Sequence, residues 1–133
     1  MTDSIEAIAA VARSWEEACR SADNARIVAH LSDDATVWYN FDRDKQHDPA
    51  AYKAILDQSV TQFWHQHYKD LRVHLHPGGF VEQATLVGET QGGVVETPFL
   101  LVAAVANGKI TRIEEYFDTT PTAKPSTSAD RAH

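Results

Sequence analysis

The residue type best placed for chemistry in this chain is the glutamate at 115, within Ile110-Thr111-Arg112-Ile113-Glu114-Glu115-Tyr116-Phe117-Asp118. Side chains on a strand alternate between faces. Ile113, Glu115 and Phe117 therefore share one face, and Arg112, Glu114, Tyr116 and Asp118 share the other. The second face is the wetter one, which turns the first inward and sets a carboxylate between apolar neighbours. Burial disfavours the charged form, raises the pKa and suits a general acid or base. The plainer alternative is a carboxylate that reaches water at a strand end or pairs with a buried donor.

Tyr39 is the second candidate. It shares a face with Ala35, Val37 and Phe41, so its hydroxyl could donate to a developing oxyanion or tie to a backbone carbonyl in the core. Gln83 and Thr85 alternate with Glu82 and Ala84. If Thr85 points inward, Gln83 does too, and both become polar anchors. Trp15 reads as a wall aromatic whose indole N–H donates but does not readily transfer its proton. Among the seven histidines, His74 and His76 lie on one strand face and could share a metal. His65 and His67, read on a helix, stand about 200° apart around it and could not. With no third ligand in view, no metal site and no cofactor is expected. There is no Gly-rich phosphate loop and no nucleophile elbow.

The elements that must position these groups are marked by periodicity and breakers. Ile5, Ile8, Ala9, Val11, Ala12, Trp15 and Cys19 recur at helical spacing over Ser4–Arg20. Asp23 or Asn24 caps a short helix to about Leu31. Ala35–Phe41 is rich in β-formers. Asp48-Pro49 starts a helix running to about His67, with Tyr52, Ile55, Leu56, Ser59, Val60, Phe63 and Trp64 inward. Pro77-Gly78-Gly79, Gln91-Gly92-Gly93 and Asn107-Gly108 then separate strands over Leu71–His76, Phe80–Thr90, Val94–Ala106 and Ile110–Asp118. Helices first and an antiparallel meander second make an α+β plan, with helices over one sheet face. Thr119–His133, rich in Thr, Ser, Pro and Ala, reads as a flexible tail. Trp38 and Asn40, on the outer face of the first strand, suit a dimer surface.

A chain of 133 residues with a net charge of -7 suits one domain. The charge argues against general affinity for nucleic acid or anionic membranes. No apolar run approaches the ~20 residues of a membrane span, and the N-terminus has no signal-peptide pattern. Cys19 stands alone, which is compatible with a reducing compartment. A cytoplasmic protein is expected.

The segment Ile27-Val28-Ala29-His30-Leu31-Ser32-Asp33-Asp34-Ala35-Thr36-Val37, joined to the meander ending Gly108-Lys109-Ile110-Thr111 and Tyr116-Phe117-Asp118, resembles the nuclear transport factor 2-like superfamily, in its SnoaL-like and ketosteroid isomerase-like branch. The resemblance covers about residues 5–118. It implies a cone-shaped α+β barrel, with three N-terminal helices packed on a curved, mainly antiparallel sheet around a pocket, and a homodimer. In ketosteroid isomerase a carboxylic acid is kept neutral so that it can donate a hydrogen bond. Against that family, the base position falls on Tyr39, the oxyanion tyrosine on Trp15 and the neutral aspartate on Phe99 or Leu100, so the catalytic set is missing. Limonene epoxide hydrolase puts its catalytic aspartate of the last strand at Glu115. The rest of its Asp-Arg-Asp relay falls on Val87 and Thr85. SnoaL-type cyclases also place an acid/base group at Glu115. Scytalone dehydratase resembles the first strand at Tyr39, with its histidines echoed by His74 or His76.

The resemblance therefore implies a cofactor-independent acid/base enzyme of lyase, isomerase or cyclase type, acting on a small apolar molecule with a carbonyl or ring. Glu115 would move the proton, with Tyr39 and His74 beside it. Trp15, Leu56 and Phe63 from the helices and Gln83, Thr85, Phe99, Leu101, Ile113 and Phe117 from the sheet would hold the substrate. A non-catalytic small-molecule binder and an epoxide hydrolase-like hydrolase are the alternatives.

Overall fold

A computed structural model describes residues 2–120. Its helices are α1 (Ile5–Ser21), α2 (Asn24–Val28) and α3 (Pro49–Gln62), and its strands β1 (Leu31–Tyr39), β2 (Trp64–His76), β3 (Gly79–Thr90), β4 (Gly93–Ala106) and β5 (Lys109–Phe117). Each helix starts where a short polar side chain takes up orphan N–H groups. Ser4 accepts from the Ala7 N–H at 3.1 Å, Asp23 from Arg26 at 3.1 Å and Asp48 from Ala51 at 2.8 Å. Ile8, Val11, Ala12, Trp15, Ala18 and Cys19 form the buried stripe of α1.

The strand order is β1-β5-β4-β3-β2. β1 runs parallel to β5 and every other pair is antiparallel. The sheet curves without closing and the helices cover its concave face, an α+β cone as expected. Residues paired across strands share a face, so the register settles which side chains meet. One row runs Tyr39, Glu115, Leu101, Glu82, Val73 across all five strands. The next runs Trp38, Glu114, Val102, Val81, His74. The first row, buried from Tyr39 to Glu82 and partly buried at Val73, faces the helices.

Several boundaries differ from the sequence reading. α2 stops at Val28, and β1 spans Leu31–Tyr39 rather than Ala35–Phe41. α3 stops at Gln62 and Phe63 is already extended, with φ -135 and ψ 97. β2 therefore starts at Trp64, not Leu71, and pairs with the full length of β3. That pairing is a long-range gain which helical periodicity cannot register. Val60 and Trp64, expected inside, are exposed. The turn Asn107-Gly108 has positive φ at both residues, 54 and 75. The Asp3 carboxylate accepts from both of its N–H groups, at 2.9 and 2.8 Å, and so fastens the N-terminus to the last hairpin. Of the segment expected to be a tail, residues 121–133 lie outside the described region.

Candidate active site

Between the concave face and the helices lies a cavity of about 260 Å³. α1 contributes Trp15 and Cys19, α3 contributes Tyr52, Ile55 and Leu56, and the sheet contributes Tyr39, Tyr68, Glu82, Phe99, Leu101 and Glu115. Phe41, more than half exposed, stands at the rim near Phe117. A second cleft of about 450 Å³ shares Cys19, Ile27, Leu56, Ser59, Gln66 and Tyr68 with it and reaches out past Phe63 and Trp64.

Glu115 is buried, and its Oε1 accepts from the Tyr52 hydroxyl at 3.2 Å. Burial pushes its pKa up to about 8; the Tyr52 bond pulls the other way and the negative charge of Glu82 adds to the rise. At pH 7 most of it is a neutral acid. Tyr39 sits beside Glu115 in the parallel ladder, stacked on Phe41 with ring centroids 4.9 Å apart. Its phenol is held well above the ordinary value by burial and by Glu115. Tyr52 and Tyr68 are raised for the same leading reason. The phenols therefore remain hydroxyl donors and are not nucleophiles. Burial likewise keeps Cys19 a thiol.

The same row holds a second buried carboxyl. Glu82 is 1% exposed and stands two strand spacings from Glu115 across Leu101, about 10 Å between backbones. Burial pushes it up to about 7, Glu16 adds to the rise, and the Trp15 N–H and Arg20 oppose it. Glu82 Oε2 and Trp15 Nε1 are both buried without a full hydrogen bond.

The structure brings together only part of the expected set. Trp15, Tyr39, Leu56, Phe99, Leu101, Glu115 and Phe117 line the cavity. His74 does not: it lies exposed on the outer face, within 3.1 Å of the Gln83 amide oxygen. Gln83 and Thr85 also point outward, because pairing of Glu82 with Leu101 turns Glu82 and Ala84 inward instead. Ile113 is packed in the core and Phe63 lines the outer cleft. Asn40, placed on a dimer surface from sequence, clasps β5: it donates to Phe117 O at 3.0 Å and accepts from Phe117 N at 2.8 Å. His65 and His67 are on a strand rather than a helix. Among the described residues no three His, Cys, Asp or Glu side chains converge.

Glu82, Tyr52 and Tyr68 are the site groups that sequence reasoning missed. A signal existed for Glu82. Phe80-Glu82-Ala84-Leu86 repeats the oddity seen at Glu115, an acid among alternating apolar residues. Tyr52 lay on the expected inner stripe of α3, but nothing local aimed its hydroxyl at a residue 63 positions away.

The fold is shared with solved structures described as nuclear transport factor 2-like and ketosteroid isomerase-like. No protein-family model matches the chain, and no curated protein does. Solved structures match it closely in shape. A candidate polyketide cyclase from Xanthomonas campestris aligns with a TM-score of 0.75 at 17% identity, over 85% of this chain and 91% of that one. AclR, a candidate hydroxylase from Streptomyces galilaeus, aligns at 0.76 with 14% identity, over 89% and 93%. A candidate isomerase from Bacillus subtilis aligns at 0.68 with 13% identity, over 85% and 87%. At these identities the likeness establishes the fold, and chemistry has to be argued from the site.

Proposed function

We propose that the chain is a small acid/base enzyme of lyase, isomerase or cyclase type, acting on a compact, largely apolar molecule that bears a carbonyl or a ring. One observation carries this reading: Glu115 is a buried carboxyl at an apolar cavity, held near neutrality and oriented by a single phenol. Such a group gives or takes a proton near neutral pH without a large driving-force mismatch. Tyr52 orients it, and Tyr39, one strand away, is the donor for charge that develops on a substrate oxygen. The isomerase and polyketide cyclase candidates that share the fold support a proton-transfer reading. Among the described residues no arginine lines the cavity, so a relay of two acids through an arginine is not formed there. A second reading is a ligand-binding protein of the same fold, favoured by the resemblance to ketosteroid isomerase, which sets Trp15 at its tyrosine and Phe99 or Leu100 at its neutral aspartate. The working unit in this proposal is a cytoplasmic homodimer joined through the outer sheet face, where Trp38 packs edge-to-face on the exposed ring of Tyr116.

The test is proton abstraction from 5-nitrobenzisoxazole, a neutral ring compound that opens to a coloured cyanophenolate when a base removes its carbon-bound proton. The rate should exceed that of free acetate, rise with a midpoint near pH 8 and drop at least 100-fold in Glu115→Gln. An unchanged rate in a folded Glu115→Gln protein would sink the role of Glu115.

A further inference from the structure

Glu82 has no task in that mechanism. It nonetheless occupies the most expensive position available to a carboxyl, since a buried acid must be neutralised by a proton or by a partner. Among the described residues lining the cavity there is no lysine, arginine or histidine. The guanidinium whose charge reaches Glu82, Arg20 on α1, is about half exposed and committed to Glu16 through bonds of 3.1 and 2.9 Å. Buried Glu82 Oε2 has the Trp15 N–H as its polar neighbour, but the two do not complete a hydrogen bond. For an apolar neutral ligand this arrangement costs stability and returns nothing.

We propose that the cavity selects a molecule carrying a positive charge on nitrogen, a protonated or quaternary amine, and that Glu82 is its counter-ion. The proposal rests on the reading of this cavity as the substrate site and adds the class of substrate. Two features of the geometry point to it. The cavity that holds Glu82 is also lined by the rings of Trp15, Tyr39, Tyr52, Tyr68 and Phe99, of which Trp15 and Tyr68 act on Glu82 directly, and a cavity that combines an acid with aromatic rings suits an alkylammonium ion. The two carboxyls are also spaced for different tasks. With about 10 Å between their backbones, a molecule spanning Leu101 would set its ammonium at Glu82 and its reacting carbon at Glu115. The overall charge of -7 favours approach of a cation.

The charged and titratable groups that act on Glu82 or feel its charge are Glu16, Cys19 and Arg20 from α1, with the Trp15 N–H, and Tyr68 and Glu115 from the sheet. Of these, Glu82 and Glu115 change charge between pH 5.5 and 8, so affinity for a permanent cation should weaken as pH falls through their midpoints near 8 and 7.

The experiment compares choline with 3,3-dimethylbutan-1-ol, a neutral molecule of the same shape, by calorimetric titration of the full chain. At pH 8 choline should bind at least about tenfold more tightly, in line with a desolvated cation beside rings and an acid. At pH 5.5 the preference should collapse, although choline keeps its charge. Glu82→Gln should abolish it at both pH values. Equal affinity for the two molecules at pH 8 overturns the proposal, as does failure of both to bind. A preference that survives in a Glu82→Gln protein with a cooperative melt overturns it too. The wild-type comparison across pH needs no variant, so poor folding of Glu82→Gln leaves the test decisive. Proton abstraction from the neutral benzisoxazole is read separately. A cavity that performs it while ignoring the charge of choline retains the role of Glu115 and loses this one.

Discussion

Glu115 gains its reactivity from what surrounds it. Its hydrogen bond from Tyr52 stabilises the carboxylate, so Tyr52→Phe should move the midpoint of the proton-abstraction profile above 8, by about one pH unit for one charge-assisted bond. A pH–rate series on that variant checks it, and a downward shift would contradict the assignment. Stability should depend on the same groups. Both carboxyls titrate above their ordinary value of 4.5 in the folded protein, Glu82 near 7 and Glu115 near 8. The folded state therefore holds more protons than the unfolded chain between those limits. The stabilisation is complete below about 4.5 and is lost as pH rises through 7 and then 8. Melting temperature should accordingly fall by several degrees from pH 5 to pH 9. Glu115→Gln should flatten that decline up to about pH 8 and Glu82→Gln only up to about pH 7. A wild-type melting temperature that rises over this range would refute both buried-acid assignments.

At the scale of elements, the junction of α3 and β2 decides the shape of the outer cleft. Gly88 on β3 leaves room for Phe63 just after α3: a Cβ at that position would lie 2.5 Å from the ring. Replacing a strand glycine normally gains about 0.5–1 kcal/mol, but a contact this short reverses the sign. Gly88→Ala should destabilise the protein by about 1–3 kcal/mol, and Phe63→Ala in the same chain should recover much of the loss. Urea unfolding of the double-mutant cycle measures this directly, and additive effects would show that the two residues do not meet. This junction also marks the limit of sequence reading. The helix start was legible because Asp48-Pro49 acts locally, as was the last turn, because Asn107-Gly108 tolerates positive φ. The helix end was not, since Trp64–Asp70 become strand by pairing with residues about 20 positions away on β3. The same long-range register turned Glu82 inward and Gln83, Thr85 and His74 outward, against the expected site.

Considered as a whole molecule, the cone leaves one sheet face uncovered. Tyr116 is exposed there beside Trp38, with Leu100, Arg72 and Thr85 along an open groove of about 550 Å³. If the proposed dimer forms through this face, sedimentation should give about twice 14.8 kDa, and Tyr116→Asp should shift the protein toward monomer without lowering its helix content. A monomeric wild type at micromolar concentration would rule this interface out. Sequence by itself determined the order of elements, the inward face of β5 and the burial of an acid at Glu115, because alternation, caps and turn residues act over a few positions. Tertiary structure alone decided that Tyr52 reaches Glu115, that Glu82 shares its row and that no basic side chain among the described residues lines the cavity. Those facts depend on strand register and on helices closing over a curved sheet, which bring together groups separated by most of the length of the chain.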